Sequence, residues 1–234
     1  MSDIHGLYDR YLKVLDTINF SDEDYLYILG DVIDRGPQSF EILFDIMDRK
    51  NVELFLGNHE HMMLTYIKGL DYRTWFYDAN GGRRTYHDFI NLSDDDQNKI
   101  IDYLWTTTLY KELNINNHKY ILSHTSALLS NVDLFTKDFR ENIMEVQDFV
   151  WNEYPYDIDG LAYEDKIDEE ITLISGHIIT RRLHESDEIY IRDFNNGYKW
   201  IDIDCGCAIG QNLGYLACLA INDAGEIENT IYIQ

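Results

Sequence analysis

Tyr25-Leu26-Tyr27-Ile28-Leu29-Gly30-Asp31-Val32-Ile33-Asp34-Arg35-Gly36 is the stretch from which the fold can be read. Its first half is apolar without alternation, the mark of a strand buried on both faces in a parallel sheet. The run stops at Gly30, and two carboxylates and a guanidinium then crowd into one turn before Gly36. A polar cluster at the carboxyl end of a buried strand is where open α/β sheets place their ligand sites. The pattern repeats downstream, where Val52 to Leu56 is apolar and runs into Gly57-Asn58-His59-Glu60. Helical spacing fills the intervals: Tyr8, Tyr11, Leu12, Leu15 and Ile18 before the first strand, Phe40 to Met47 between the two, and Met62, Met63 and Tyr66 after the second.

Further along, residues 70 to 115 read as helical and polar, with Ser93 before Asp94-Asp95-Asp96 as a helix start. Lys119 to Leu122 is a short strand ending at Ser123-His124. The last third is strand-like over Ile171 to Ile174, Ile189 to Phe194, Lys199 to Ile203, Tyr215 to Ile221 and Thr230 to Ile233. Turn signals at Asn195-Asn196-Gly197 and Asn222-Asp223-Ala224-Gly225 separate these strands. No internal repeat or domain boundary interrupts the chain, so residues 1–234 are expected to form a single domain. Within it, 141–170 is an acidic excursion with Lys166 as its one base, read as a solvated face or as a cap over the site. Asp3 should close a strand, yet two residues precede it, so the first strand is expected to be truncated.

Composition narrows the function. The chain has 234 residues and a net charge of −24, with 45% hydrophobic residues, which describes a globular protein and not an acidic tail. So negative a surface disfavours nucleic acid and anionic membranes as partners, because both demand a basic face. Cys205, Cys207 and Cys218 have neither a disulfide pattern nor a zinc spacing and are expected to be reduced and buried. Without a leader or a run of 18 apolar residues, a cytoplasmic protein is expected.

Three short motifs carry the chemistry. Asp3-Ile4-His5 places a carboxylate and an imidazole on one face of an extended segment, the Gly30–Gly36 turn adds Asp31 and Asp34, and Asn58-His59 adds an amide oxygen and a second imidazole. With His124 and His177, also at strand ends, these are O and N ligands suited to a pair of divalent first-row metals.

In these motifs, and in Asn80-Gly81-Gly82, Ser123-His124, Gly176-His177 and Ile203-Asp204-Cys205-Gly206, the chain resembles the calcineurin-like metallophosphoesterases. Within them it resembles the bacterial branch that holds serine/threonine protein phosphatases and symmetrical diadenosine tetraphosphatases. The resemblance implies an α/β sandwich of two mixed β-sheets flanked by helices, with a dimetal site at the strand ends. It further implies that Asp3 and His5 hold the first metal, that Asp31 bridges, and that Asn58, His124 and His177 hold the second. Two divalent ions ~3.5–4 Å apart clamp a phosphoryl group and acidify a water; manganese is the implied occupant, with iron or zinc as alternatives. His59 would protonate the leaving oxygen, Asp34 would hold its other ring nitrogen, and Arg35, with Asn58, would bind the phosphate. The implied substrate is a phosphoprotein, as for a serine/threonine phosphatase, or alternatively a dinucleoside polyphosphate or other nucleotide.

The chain also departs from that pattern. His124-Thr125-Ser126 and Gly176-His177-Ile178 keep the ligand and change its neighbours. Where the branch has a phosphate-clamping arginine two residues after a tryptophan, this chain has Trp151-Asn152-Glu153, and no arginine occurs between Glu141 and Thr180. Arg181, Arg182, Arg83 and Arg84 are the candidate substitutes. The missing arginine keeps a reading of another class open, a metal-bound binding or regulatory module without turnover; the retained ligands and His59 favour an enzyme.

Overall fold

The computed structural model describes residues 1–71, 73–126, 142–153, 170–194, 197–209 and 214–234. Two parallel strands, β1 (Leu26–Ile28) and β2 (Val52–Leu54), form at the two apolar runs, shorter than their sequence signals by the residues that turn into the loops. Helix α1 (Tyr8–Thr17) precedes them, α2 (Ser39–Asp48) connects them, and α3 (Asn58–Ile67) begins directly at the second motif. Met1–Asp3 lies beside β1 in a parallel pairing: the Met1 amino group donates to the Tyr27 carbonyl at 3.1 Å, Leu29 N–H to the Met1 carbonyl at 2.9 Å, and Asp3 N–H to the Gly30 carbonyl at 3.1 Å.

The middle region departs from the helical expectation. A 3-10 turn at Thr74–Phe76, α4 (Gly82–Ile90) and α5 (Asp94–Leu104) are helical, and Ser93 caps α5 by accepting from Asp96 N–H at 3.1 Å. Tyr110–Ile115, however, is a strand, β3. It lies at the edge of its sheet, where only partial burial is imposed, and its polar Lys111, Glu112 and Asn114 hide the strand signal. The sheet continues through β4 (His118–Ser123), β5 (Ile171–Ser175), β7 (Tyr198–Asp202) and β6 (Tyr190–Asp193), antiparallel at both edges and parallel in the centre. A hairpin, β8 (Leu216–Ile221) and β9 (Ile227–Ile233), packs against α1.

The two layers meet through an apolar seam. Leu29 and Phe55 from the first layer pack with Tyr120, Leu122, Ile174 and Ile201 from the second. Strand periodicity sends the alternate residues Ile121, Leu173 and Trp200 into the other core. Most of the acidic stretch 141–170 lies outside the described residues. Its described part is amphipathic: Ile143, Val146, Phe149 and Val150, in a 3-10 turn and the short helix α6 (Gln147–Val150), are buried, while Glu145 and Asp148 are exposed. The three cysteines are buried and unpaired, and burial raises the thiol pKa of Cys207 to about 11. No helix among the described residues is long and apolar enough to cross a membrane.

Candidate metal centre

The carboxyl ends of Met1–Asp3, β1, β2, β4 and β5 point to one place, and each delivers its motif there. Among the described residues, six of the nine non-glycine residues with positive φ belong to it: Asp3, His5, Asp31, Asp34, Arg35 and His177. Such backbone is tolerated only where the surroundings over-determine it, and it clusters at functional sites. Glu60 supplies much of that determination. Its fully buried carboxylate accepts from Asp31, Val32, Gly57 and Ile33 N–H groups, at 2.8, 2.9, 3.1 and 3.3 Å. Glu60 thus ties the first strand-end loop to the second, and its bond from Gly57 N–H also caps the start of α3. Gly57 is required for this approach, since a Cβ there would collide with the Asp31 carboxylate and the Glu60 carboxylate.

Asp31 is the hub. Its Oδ1 faces His124 Nε2 at 3.5 Å, and its Oδ2 faces His5 Nε2 and His59 Nε2, each at 3.8 Å. Asp3 Oδ1 lies 3.9 Å from His5 Nε2, and Asn58 Oδ1 lies 3.0 Å from both His124 Nε2 and His177 Nδ1. Two groups of potential ligand atoms result, His5–Asp31–His59 and Asp31–His124–His177, each with its atoms within 4.8 Å of one another. All six sequence-predicted ligands thus come together, with His59 beside them.

The donor set fits cations. Burial first, and then the neighbouring Asp204, raises the Asp3 carboxyl pKa well above the usual range; burial and then Asp3 do the same for Asp31. Two buried carboxylates cannot both ionise cheaply: at 4 Å, like unit charges repel by ~4 kcal/mol even at an effective dielectric of 20. The histidines are held neutral, chiefly by burial, which lowers His177 to about 3. His5 Nδ1 and His124 Nδ1 donate to the Ile33 and Leu29 carbonyls at 3.0 and 2.6 Å. Each ring's Nε2 therefore turns a lone pair into the site, the tautomer a metal ligand needs. At His124 that lone pair faces an amide oxygen, an arrangement that a cation between them relieves. The Arg35 guanidinium already acts as such a cation, donating to His5 Nε2 at 2.6 Å and His59 Nε2 at 3.2 Å.

His59 is gripped from behind. Its Nδ1 lies 2.7 Å from Asp34 Oδ2, and the buried Trp75 indole donates to the same carboxylate at 2.8 and 3.1 Å. Asp34 is therefore a partner of His59; burial raises its pKa to about 7. Nothing in a run of Arg73-Thr74-Trp75 announces a contact with a carboxylate 41 residues away. Asn80-Gly81-Gly82 finds its purpose here too: a Cβ on Gly81, whose φ is +80°, would strike the Arg35 backbone at 2.6 Å. The other arginines after that motif turn away, Arg83 toward Asp78 and Arg84 toward Asp88 on exposed surface. His61 packs against the Ile143 carbonyl at 2.9 Å, outside both ligand groups.

These strand ends define a dinuclear-type centre in an α/β sandwich. The chain belongs to the calcineurin-like phosphoesterase family, which residues 1–201 match. It is similar to the symmetrical bis(5'-nucleosyl)-tetraphosphatase of Buchnera aphidicola subsp. Acyrthosiphon pisum, 32% identical over 128 residues that make up 53% of this chain and 42% of that protein. The namesake from Wigglesworthia glossinidia brevipalpis is 42% identical over 71 residues, 29% of this chain and 26% of that one. The matches thus span less than half the length of these curated relatives. A crystal structure described as a candidate diadenosine tetraphosphatase aligns over 100% of this chain and 91% of its own, with TM-score 0.64 and 18% identity. A cold-active protein-tyrosine phosphatase from a psychrophilic Shewanella aligns over 100% and 79%, with TM-score 0.54 and 19% identity. At such identities these two structures bear on the fold alone.

Proposed function

We propose that the protein is a metal-dependent phosphoesterase whose substrates are dinucleoside polyphosphates. The observation that carries the first half is Asp31, whose two oxygens face two separate sets of neutral imidazoles. Asp3, His5 and Asp31 would hold one divalent cation and Asp31, Asn58, His124 and His177 the other, with manganese the expected metal. Such ions supply positive charge for phosphoryl oxygens and acidify water. The names of the relatives favour the dinucleotide over the phosphoprotein that the motifs put first. Trp151 adds to this: its ring stands edge-on to His177 at 6.2 Å and walls a cavity of about 200 Å³ with Met62 and Met144, an aromatic surface a base can use.

The protein's own groups then divide the work. Arg35, held near the Gly81 turn, offers its fork of donors to phosphate oxygens. As it moves from His59 Nε2 to substrate, that nitrogen becomes able to hold a proton, and Asp34 stabilises the resulting imidazolium through Nδ1. His59 passes the proton to the leaving oxygen. The test is a manganese-supplemented assay on diadenosine tetraphosphate, a phosphopeptide and an aryl phosphate. Turnover of the dinucleotide to ADP, ahead of the phosphopeptide, is expected. Preference for the phosphopeptide would restore the protein-phosphatase reading, and no turnover with metal demonstrably bound would leave a binding module.

A further inference from the structure

Glu153 and Arg182 meet on the side of the centre that carries His177. Arg182 Nη1 and Nη2 donate to the two carboxylate oxygens of Glu153, each at 3.3 Å, a fork-to-fork pair between residues 29 positions apart. Both sit one short step from the site. Glu153 follows Trp151, whose ring stands against His177. Arg182 ends the 3-10 turn Thr180–Arg182 just after His177, and this turn is anchored where Thr180 N–H donates to the Asp204 carbonyl at 2.8 Å. Across the centre, Arg35 presents its guanidinium to His5 and His59. The neighbouring Arg181 is paired with Asp187.

We infer that the Glu153–Arg182 pair selects substrates by phosphoryl charge, favouring the singly charged phosphate of a diester or internal anhydride over the doubly charged terminal phosphate of a monoester. A guanidinium forked on a carboxylate must break that pair to fork on phosphate. Glu153 meanwhile repels incoming negative charge, and a terminal phosphate carries nearly two charges at pH 7 where a bridging one carries one. The inference rests on the phosphoesterase reading and names its substrate class, chains of internal phosphates.

Glu153→Gln keeps the shape and removes the charge, and the two side chains are 37% and 46% exposed, so folding is not at stake. With manganese, the ratio of kcat/KM for an aryl phosphomonoester to that for an aryl phosphodiester should rise about threefold to tenfold, the effect of one partly screened charge. Adding Arg182→Ala to Glu153→Gln should return the ratio toward that of the unmodified protein. An unchanged ratio, or equal changes on both esters, overturns the inference. Calorimetric binding of inorganic phosphate supplies a readout without turnover: tighter binding to Glu153→Gln supports the charge selection, and unchanged affinity overturns it. If no ester is turned over and phosphate still binds more tightly to the variant, the catalytic reading falls and the charge selection stands.

Discussion

The floor and the rim of the centre are built differently. On the floor, the Gly30–Gly36 turn is buried and tied down from several sides: Glu60 takes up its N–H groups, Ser39 Oγ accepts from Asp34 N–H at 3.0 Å, and Trp75 holds the Asp34 carboxylate. On the rim, Glu153 and Arg182 form an ion pair in contact with solvent. A buried turn held by converging hydrogen bonds has one geometry, as metal ligands require. A solvated ion pair is worth little to folding and is free to change with the substrate. Chemistry common to the family can therefore sit on the floor while discrimination is left to the rim.

Breaking the floor should have the largest effect. Asp31→Asn removes the group shared by both ligand sets, so metal stoichiometry by mass spectrometry should fall and phosphoester turnover should drop by at least ~10⁴-fold. His59→Ala should leave metal bound and slow turnover by ~10²–10⁴-fold, most strongly for poor leaving groups, as steady-state rates on a series of aryl esters would show. Loss of metal instead would make His59 a ligand.

Smaller effects probe the supports. Glu60→Gln replaces an acceptor of several N–H groups by one that must face some of them with its own N–H. Leaving buried donors unpaired costs about 1–3 kcal/mol each, so Tm by calorimetry should fall by about 5–10 °C. Trp75→Phe removes one donor from Asp34 and should slow the His59-dependent step by about tenfold while sparing metal binding, seen as a change in kcat with metal stoichiometry intact.

The smallest is a pH slope in the metal-free protein. Burial raises both Asp34 and Glu60 to about 7, so the folded state keeps protons that the unfolded state has released. The stability they contribute is complete below their unfolded pKa values and is lost as pH rises through about 7. The buried histidines act in the opposite sense, but their contribution is already complete above ~6.5. Most of that loss falls between about pH 4.5 and 7, where the histidines oppose it, so Tm of the metal-free protein should fall only slightly above pH 7, over the remaining half of each carboxyl titration. A flat profile above pH 7 would place both carboxyls below about 7.

Most of the centre was legible before folding because its signals are local. Gly30-Asp31 and Gly57-Asn58-His59 each join an apolar strand to polar ligands within a few residues, and that junction names both the fold and the site. β3 was missed because an edge strand with Lys111, Glu112 and Asn114 carries little apolar periodicity. The contacts of Glu60, Trp75 and Gly81 are hidden for a different reason: each reaches a group some 25 to 50 residues away, and no spacing encodes such a contact.

By itself, the sequence determined the α/β class, the order of the motifs and the candidate ligands they carry, because strand burial and ligand chemistry follow from side chains and their immediate neighbours. Only the tertiary structure decided that Glu60 ties the two strand-end loops together and that Glu153 meets Arg182. Those are relations between strand ends, and strand ends become neighbours only when the sheets assemble.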